Sequence, residues 1–354
     1  MAVGPKLEQF DQQYKDIYPM STDKQRILVI GVGSIGERHV RCYLATGRAH
    51  IGICEINGDL RDTIADRYAI GESFDNLDDA LAAGWDGALI ATPAHTHIPI
   101  AITVAKAGIH LIIEKPLSTS LDGLDELRQL VAEKNLTAVV SYNYRAHPGV
   151  VAMKAALDSG RFGKPRQLYA MIGQHFPKYR PAYREIYFAD HAQGGGAIQD
   201  AITHIWNACE WFLGPMDRIA VDADHQLLDG VTVEDTVNAI ARHGDVMASY
   251  AVNLYQAPNE STITIVCEKG TLRLEVHEKR WRCMTEPEGP WTDEAFDLPE
   301  RDSWYTLNAN TILDALEGSA PPRCSLEEGI QTLRVNLAAL RSAETRSWQE
   351  TKGQ

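Results

Sequence analysis

QRILVIGVGSIGERHVRCYLA, residues 25–45, decides the fold. Ile27 to Ile30 form a short apolar run of strand character, glycines follow at once, and helical periodicity takes over behind them. This sets Gly31-x-Gly33-x-x-Gly36 at a strand-to-helix turn. There Gly31 permits the tight turn, Gly33 leaves room for a pyrophosphate, and Gly36 lets helix and strand pack closely. The helix start at Ser34 and Ile35 offers free N–H groups and a positive dipole end to the phosphates. Alone, a GxGxxG is weak evidence. Here a second apolar run, HIGICEI, ends in Glu55, nineteen residues after Gly36. An acid at that distance can accept hydrogen bonds from an adenosine ribose and would repel a 2′-phosphate, so NAD is expected in preference to NADP. The alternative for Glu55 is an exposed strand-end acid.

Outward from this turn the alternation continues. Helices are expected over 61–68, 75–82, HIPIAITVAKAG and 121–134, with strands at DGALIATP, IHLIIEKP and TAVVSYNY. Such alternation means a parallel sheet with helices on both faces, which binds ligands outside the carboxyl ends of its strands. Polar residues gather at those ends: Thr92, Pro93 and His97, then Glu114 and Lys115, then Asn143 and Arg145. The first five are expected at the cofactor. Lys115 follows the apolar LIIE and precedes Pro116. Partial burial would lower its pKa and allow proton traffic near neutral pH. The alternative is a surface salt bridge with Glu114.

At 354 residues two domains are expected, since single cores stop growing beyond about 250–300 residues. We divide the chain into an extension over 1–22, a nucleotide-binding domain over 23–146 and a substrate and oligomerisation domain over 147–354. The extension contains acids and amides and does not resemble a secretory signal; it is expected to wrap the body or a neighbouring subunit. A net charge of −14 argues against binding a phosphate backbone. No apolar run approaches the roughly 18 residues of a membrane span. Six scattered cysteines without a CxxC pair suit buried, reduced thiols in a cytoplasmic protein, with neither a disulfide framework nor a metal site.

Past residue 165 the pattern shifts to strands: RQLYAMIGQHF, RIAVDAD, TVNAIAR, VMASYAVNLYQ, STITIVCEKGTLRLEV and RWRCM, with a hairpin turn at Glu268-Lys269-Gly270. Two helices close the chain, the second opened by a capping box of Ser325 and Glu328. GGGAIQDAITHIWN, residues 194–207, carries Asp200 and His204 four residues apart, on one face of a helix. Taken alone it reads as a glycine turn before a core helix. Before it, PKYRPAYREIYFADHAQ gathers Tyr179, Arg180, Tyr183, Arg184, Tyr187 and His191. Aromatic faces with fork-like donors suit a polyhydroxylated ligand; the competing reading is a packing loop that never touches substrate. Nucleic acid fits the overall charge poorly. Tyr179 and Tyr183, with Tyr144 and Arg145 at the domain junction, are the candidate substrate contacts.

GVGSIG, ATPAHTHIPIA, IIEKP, SYNYR, GGGAIQDAITH and SLEEGIQTLRVNLAALRSA occur in this order across residues 26–343. In this the chain resembles the Gfo/Idh/MocA family of sugar oxidoreductases, which includes glucose–fructose oxidoreductase and inositol dehydrogenase. The resemblance implies a Rossmann domain followed by an α/β domain on a large, open antiparallel sheet, which commonly builds dimers or tetramers. It implies that Lys115, Asp200 and His204 converge beside the nicotinamide and, with the substrate contacts above, receive a small sugar or polyol. The reaction implied is reversible oxidation of a secondary alcohol. His204 would be the general base at an ordinary pKa of about 6.5, Asp200 would orient it or bond a neighbouring hydroxyl, and Lys115 would steady the alkoxide and relay the proton. Two positions depart from the family pattern: Ala94 stands where relatives often have Asn, and Asn207 where they often have Asp. Two other outcomes stay open, redox-neutral cleavage of a glycoside through transient oxidation, and a non-catalytic NAD-binding sensor.

Overall fold

The computed structural model describes residues 24–296 and 301–352; the extension expected over 1–22 lies outside the described residues. Six strands form the first sheet: β1 Gln25–Ile30, β2 Ala49–Cys54, β3 Ser73–Phe74, β4 Gly87–Ile90, β5 His110–Ile113 and β6 Ala138–Val140. All are parallel, in the order β3-β2-β1-β4-β5-β6. The order reverses between β1 and β4, so a crevice opens where their carboxyl ends diverge. The register aligns Ile30 with Cys54 and Ile90, Ile90 with Ile113, and Ile113 with Val140. Every residue just past these ends therefore emerges on one edge. Helices α1 Ser34–Ala45, α2 Gly58–Tyr68, α3 Leu77–Ala82, α4 His97–Lys106 and α5 Leu124–Glu133 connect the strands.

The second sheet has nine strands: β7 Pro165–Gly173, β8 Arg218–Asp224, β9 Thr236–His243, β10 Val246–Asn253, β11 Glu260–Cys267, β12 Gly270–Glu275, β13 Arg280–Met284, β14 Thr292–Ala295 and β15 Gln349–Glu350. Their order is β14-β13-β12-β11-β7-β10-β9-β8-β15. The expected antiparallel sheet is amended at one place, because β7 and β10 run parallel. After β7 the chain leaves the sheet, re-enters at β8, and meanders through β9 to bring β10 alongside β7. The hairpin at Glu268-Lys269 is present, with Cys267 paired to Gly270.

Helix α6, Pro148–Asp158, follows the first sheet; the short α7, Phe176–Tyr179, opens the segment after β7; α8, Thr203–Leu213, ends it. The chain closes with α9, Arg301–Leu316, and α10, Leu326–Thr345, whose Ser325–Glu328 capping box is formed in both directions. These two helices cross the expected division at 146/147. Ala309, Ile312, Leu313 and Leu316 of α9 pack against Ile27, Val29 and Leu89 of the first sheet. Helix α10 serves both halves: Leu326, Ile330 and Leu333 join the first core, Val335, Ala338 and Ala339 the second. This return is not readable from sequence, because a single helix stripe does not say which sheet it covers.

Candidate active site

At the turn after β1 the glycines are used in different ways. A Cβ on Gly36 would overlap the carbonyl oxygen of Gly31, whereas a Cβ on Gly33 would meet nothing within 4 Å. Close packing thus demands one glycine, and open space lies over the other. Gly33 and Ser34 are exposed, Ile35 is half-buried, and no side chain caps the start of α1, which leaves its N–H groups for an anion. Glu55 accepts the N–H of Val32 (3.0 Å) and of Asn57 (2.9 Å), so it braces this loop at the edge of the crevice. A carboxylate retains lone pairs for a ribose after two such bonds. The residues present fit a dinucleotide.

Across the reversal, Thr92 is half-buried and Pro93 exposed. His97 is buried, with its ring nitrogens 2.8 Å from the Thr92 carbonyl oxygen and 3.0 Å from that of Pro116. Its ring lies between two loops, and as a neutral imidazole it donates its single N–H to one of these two carbonyls. Glu114 is buried beneath the site, 2.6 Å from the His39 ring, and accepts the main-chain N–H of Lys115 (2.9 Å). The surface salt bridge between Glu114 and Lys115 considered from sequence is not formed.

The Lys115 ammonium instead reaches the second domain. It donates to the Asp200 carboxylate Oδ1 (2.9 Å) and to the Asp200 carbonyl (3.0 Å). The glycine run makes the meeting possible. Gly194 has φ +93°, and a Cβ there would press on Ala94 and Pro116, so the backbone lies directly against the Lys115 turn. Gly196, also at positive φ, abuts the Glu234 carboxylate, which accepts the Ile198 N–H (2.8 Å). Residues Ala197–Ile202 then form a widened, π-type turn before α8, a form that recurs at functional sites.

The Asp200 side chain is wholly buried. Burial would raise its pKa, but the charges of Arg180 and Lys115 and the Tyr187 hydroxyl hold it far below the carboxylate range. Tyr187 donates to Oδ1 (2.6 Å) and Arg180 to Oδ2. Burial works to lower the Lys115 pKa, yet Asp200 and Tyr187 raise it above the ordinary lysine value. This corrects the sequence expectation of a lowered lysine: a buried carboxylate at hydrogen-bond distance outweighs the burial, and Lys115 is a fixed cation. His204 is corrected in the other direction. Burial, helped by the charge of Lys115, pushes its imidazolium down to about 3, so the ring is neutral at physiological pH. Its ring lies 5.6 Å from that of Tyr144 and 6.0 Å from that of Tyr142. Its Nδ1 is sealed without a partner, which leaves Nε2 as the nitrogen for a ligand.

Other sequence candidates are engaged elsewhere. The Arg145 guanidinium is buried; it donates to the Asn207 side chain (2.7 Å), to the Arg323 carbonyl (2.8 Å) and to Glu328. Asn207, the second departure, is fully buried and also bonds Thr332 (3.0 Å). Arg145 and Asn207 thus lock α8 to α10. Tyr183 is fully buried, packed on Phe176 and Phe188, its hydroxyl on the Asp229 carbonyl (2.9 Å). Neither is free to contact a substrate. Tyr179 is exposed, and Tyr144 is half-buried with Trp304 5.1 Å from its ring. Trp304 also donates to the Asn143 carbonyl (2.6 Å), a wall residue for which the sequence of α9 carried no signal.

An uncapped glycine turn that fits a phosphate, at a topological switch point, together with a buried Lys–Asp pair beside a neutral imidazole, is the combination of a nucleotide-dependent oxidoreductase. The profile of the oxidoreductase family with an NAD-binding Rossmann fold, GFO/IDH/MocA, matches residues 25–142, and that of the GFO/IDH/MocA C-terminal domain matches residues 150–273. The chain belongs to this family. UDP-N-acetylglucosamine 3-dehydrogenase of Acidithiobacillus ferrooxidans is 26% identical over 321 residues, covering 88% of this chain and 94% of that one. Levoglucosan dehydrogenase of Pseudarthrobacter phenanthrenivorans is 28% identical over 207 residues, 54% of this chain and 52% of the relative. Among solved structures, the WlbA dehydrogenase from Bordetella pertussis in complex with NADH and UDP-GlcNAcA is 26% identical, with a TM-score of 0.80 over 94% of this chain and 99% of that one.

Proposed function

We propose that this protein is an NAD-dependent dehydrogenase that oxidises a secondary hydroxyl of a sugar, polyol or sugar derivative. The observation that carries the reading is the meeting of Lys115, Asp200 and a neutral His204 across the domain junction. The NAD that the β1–α1 turn would hold supplies a hydride acceptor. The substrate C–H bond breaks with its electron pair leaving as hydride, and the O–H bond breaks with its proton leaving for His204 Nε2. Lys115 has three ammonium hydrogens and spends two on Asp200, so one remains for the reacting oxygen. As a fixed cation it stabilises the alkoxide as it develops and does not itself give up a proton. Tyr144 and Tyr179 flank the substrate with aromatic surface.

The six cysteines are buried and unpaired, which supports a reducing compartment, the cytoplasm. No helix among the described residues is long and apolar enough to cross a membrane. Tyr169, Ile240 and Met247 are exposed on the outer face of the second sheet, which supports a homo-oligomer in which a second copy of the chain covers them. Sedimentation equilibrium reads this directly.

The catalytic reading is tested with Lys115→Met. Turnover should fall by roughly 10²-fold or more, the range expected for a group acting on the reacting proton and oxygen. NADH affinity should stay within about twofold, because the ammonium bonds no residue of the phosphate turn. Near-full turnover in this variant rules the assignment out.

A further inference from the structure

The proposed mechanism uses Lys115 and His204 but leaves the shell around Asp200 unexplained. That carboxylate is wholly buried, and a buried charge is tolerated only when paired and hydrogen-bonded. Lys115 and Tyr187 both lie on Oδ1, so neither serves Oδ2. Arg180 does, and a second arm of the same guanidinium donates to the Tyr187 hydroxyl (3.2 Å). Arg180, Tyr187 and the carboxylate thus close a ring, with Lys115 outside it on Oδ1.

Arg180 and Tyr187 come from neither sheet. They belong to the succession of short turns between β7 and the glycine run, held down by Phe176, Tyr183 and Phe188, which are buried against one another with ring centroids 5.0–6.4 Å apart. The Arg180 guanidinium also lies 4.9 Å over the ring of Phe176, so both its plane and its position are fixed. A planar fork held this way keeps a set geometry that a flexible ammonium would not.

We propose that Arg180, with Tyr187, is a positioning residue of this site: by closing the outer side of the Asp200 carboxylate it withholds that group from proton transfer and keeps the Lys115 ammonium aimed at the substrate oxygen. Two cations then share one carboxylate beside a neutral imidazole. The groups facing His204 are Lys115 and Arg180, which oppose its protonation, Asp200 and Glu114, which favour it, and the rings of Tyr142 and Tyr144. Glu114 is already bonded to His39 and to the Lys115 main chain. Removing Arg180 takes away one of the two opposing charges and leaves Oδ2 free to accept a proton or a substrate hydroxyl. This inference rests on the dehydrogenase reading for its kinetic consequence but not for its electrostatic one.

The test is made on full-length Arg180→Met, Arg180→Lys and Tyr187→Phe, with two readouts. The first is the titration of His204 in cofactor-free protein labelled with 15N-histidine, assigned by comparison with His204→Gln. In Arg180→Met the His204 midpoint should rise, and Arg180→Lys should restore most of the shift. The second is steady-state kinetics. Arg180→Met should lose roughly tenfold or more in kcat with a smaller change in KM, Tyr187→Phe should lose less, and NADH affinity should not move. If Arg180→Met fails to fold, Tyr187→Phe carries the test through the kinetic readout, where kcat should fall more than KM changes and an unchanged kcat overturns the proposal. An unmoved His204 titration with kcat retained overturns the proposal. Should the wild type oxidise nothing, the dehydrogenase reading falls, while the titration still decides the role of Arg180.

Discussion

Lys115 and His204 show how burial and neighbouring charge settle a role that residue type leaves open. Both are ionisable groups at a domain junction, and both were expected to trade protons near neutral pH. The structure separates them: Asp200 fixes Lys115 as a cation, and burial beside that cation keeps His204 neutral. The sign of the pH dependence follows. As the proposed general base His204 works only when unprotonated, and, lowered to about 3, it stays so far below neutrality. In the oxidation direction, kcat/KM should therefore stay level on its acid side from about pH 8 to about pH 5, whereas an imidazole of ordinary pKa would already fail near 6.5. A fall near pH 6.5 that disappears in His204→Gln would contradict this. That Lys115, Asp200 and His204 come together was legible in sequence through the family resemblance, because each stands in one of its motifs. Their protonation states were not, since these depend on Arg180 and Tyr187, contributed by another segment. The loop holding those two was legible as a cluster. Which of its six polar and aromatic side chains turned inward was set by its short turns, which put Arg180 on Asp200 and buried Tyr183 in the core.

Among elements, the turn from β1 into α1 is the most local and was read most completely. Gly33 has φ −60° and ψ −170°, which alanine can adopt, and a Cβ there would meet no protein atom within 4 Å. Gly33→Ala should therefore fold with stability within about 0.5 kcal/mol of the wild type. The methyl would enter the space that the proposed NAD takes, and NADH affinity should drop roughly tenfold or more, about 1.4 kcal/mol. Chemical denaturation and NADH fluorescence titration measure the two quantities separately. Unchanged affinity would mean that the phosphates lie elsewhere. The capping box of α10 was equally legible, because its partners are three residues apart. The π-type turn at Ala197–Ile202 was not. Its sequence reads as ordinary helix, and the Gly194 and Gly196 that lead into it lie against Pro116 and Glu234, which are distant in the chain.

The two sheets are joined at the scale of the whole molecule by the return of α9 to the first core and by α10, which is divided between the two. Strand and helix alternation revealed two units, but nothing in the apolar stripe of α9 told which sheet it would cover. The consequence is functional: α9 brings Trp304 to Asn143 and Tyr144, so the wall beside His204 draws on residues far apart in the sequence. Arg145 and Asn207 lock α8 to α10 behind the same wall. The proposal that this junction oxidises a sugar hydroxyl with NAD is tested by one incubation. Purified protein is mixed with NAD and a panel of sugars, polyols, sugar acids and nucleotide sugars, and followed by nicotinamide absorbance and by mass spectrometry of the carbohydrate. NADH rising in step with a keto product two mass units lighter is the predicted result. A carbohydrate cleaved with no NADH accumulating, or NAD bound with every substrate left intact, would contradict it.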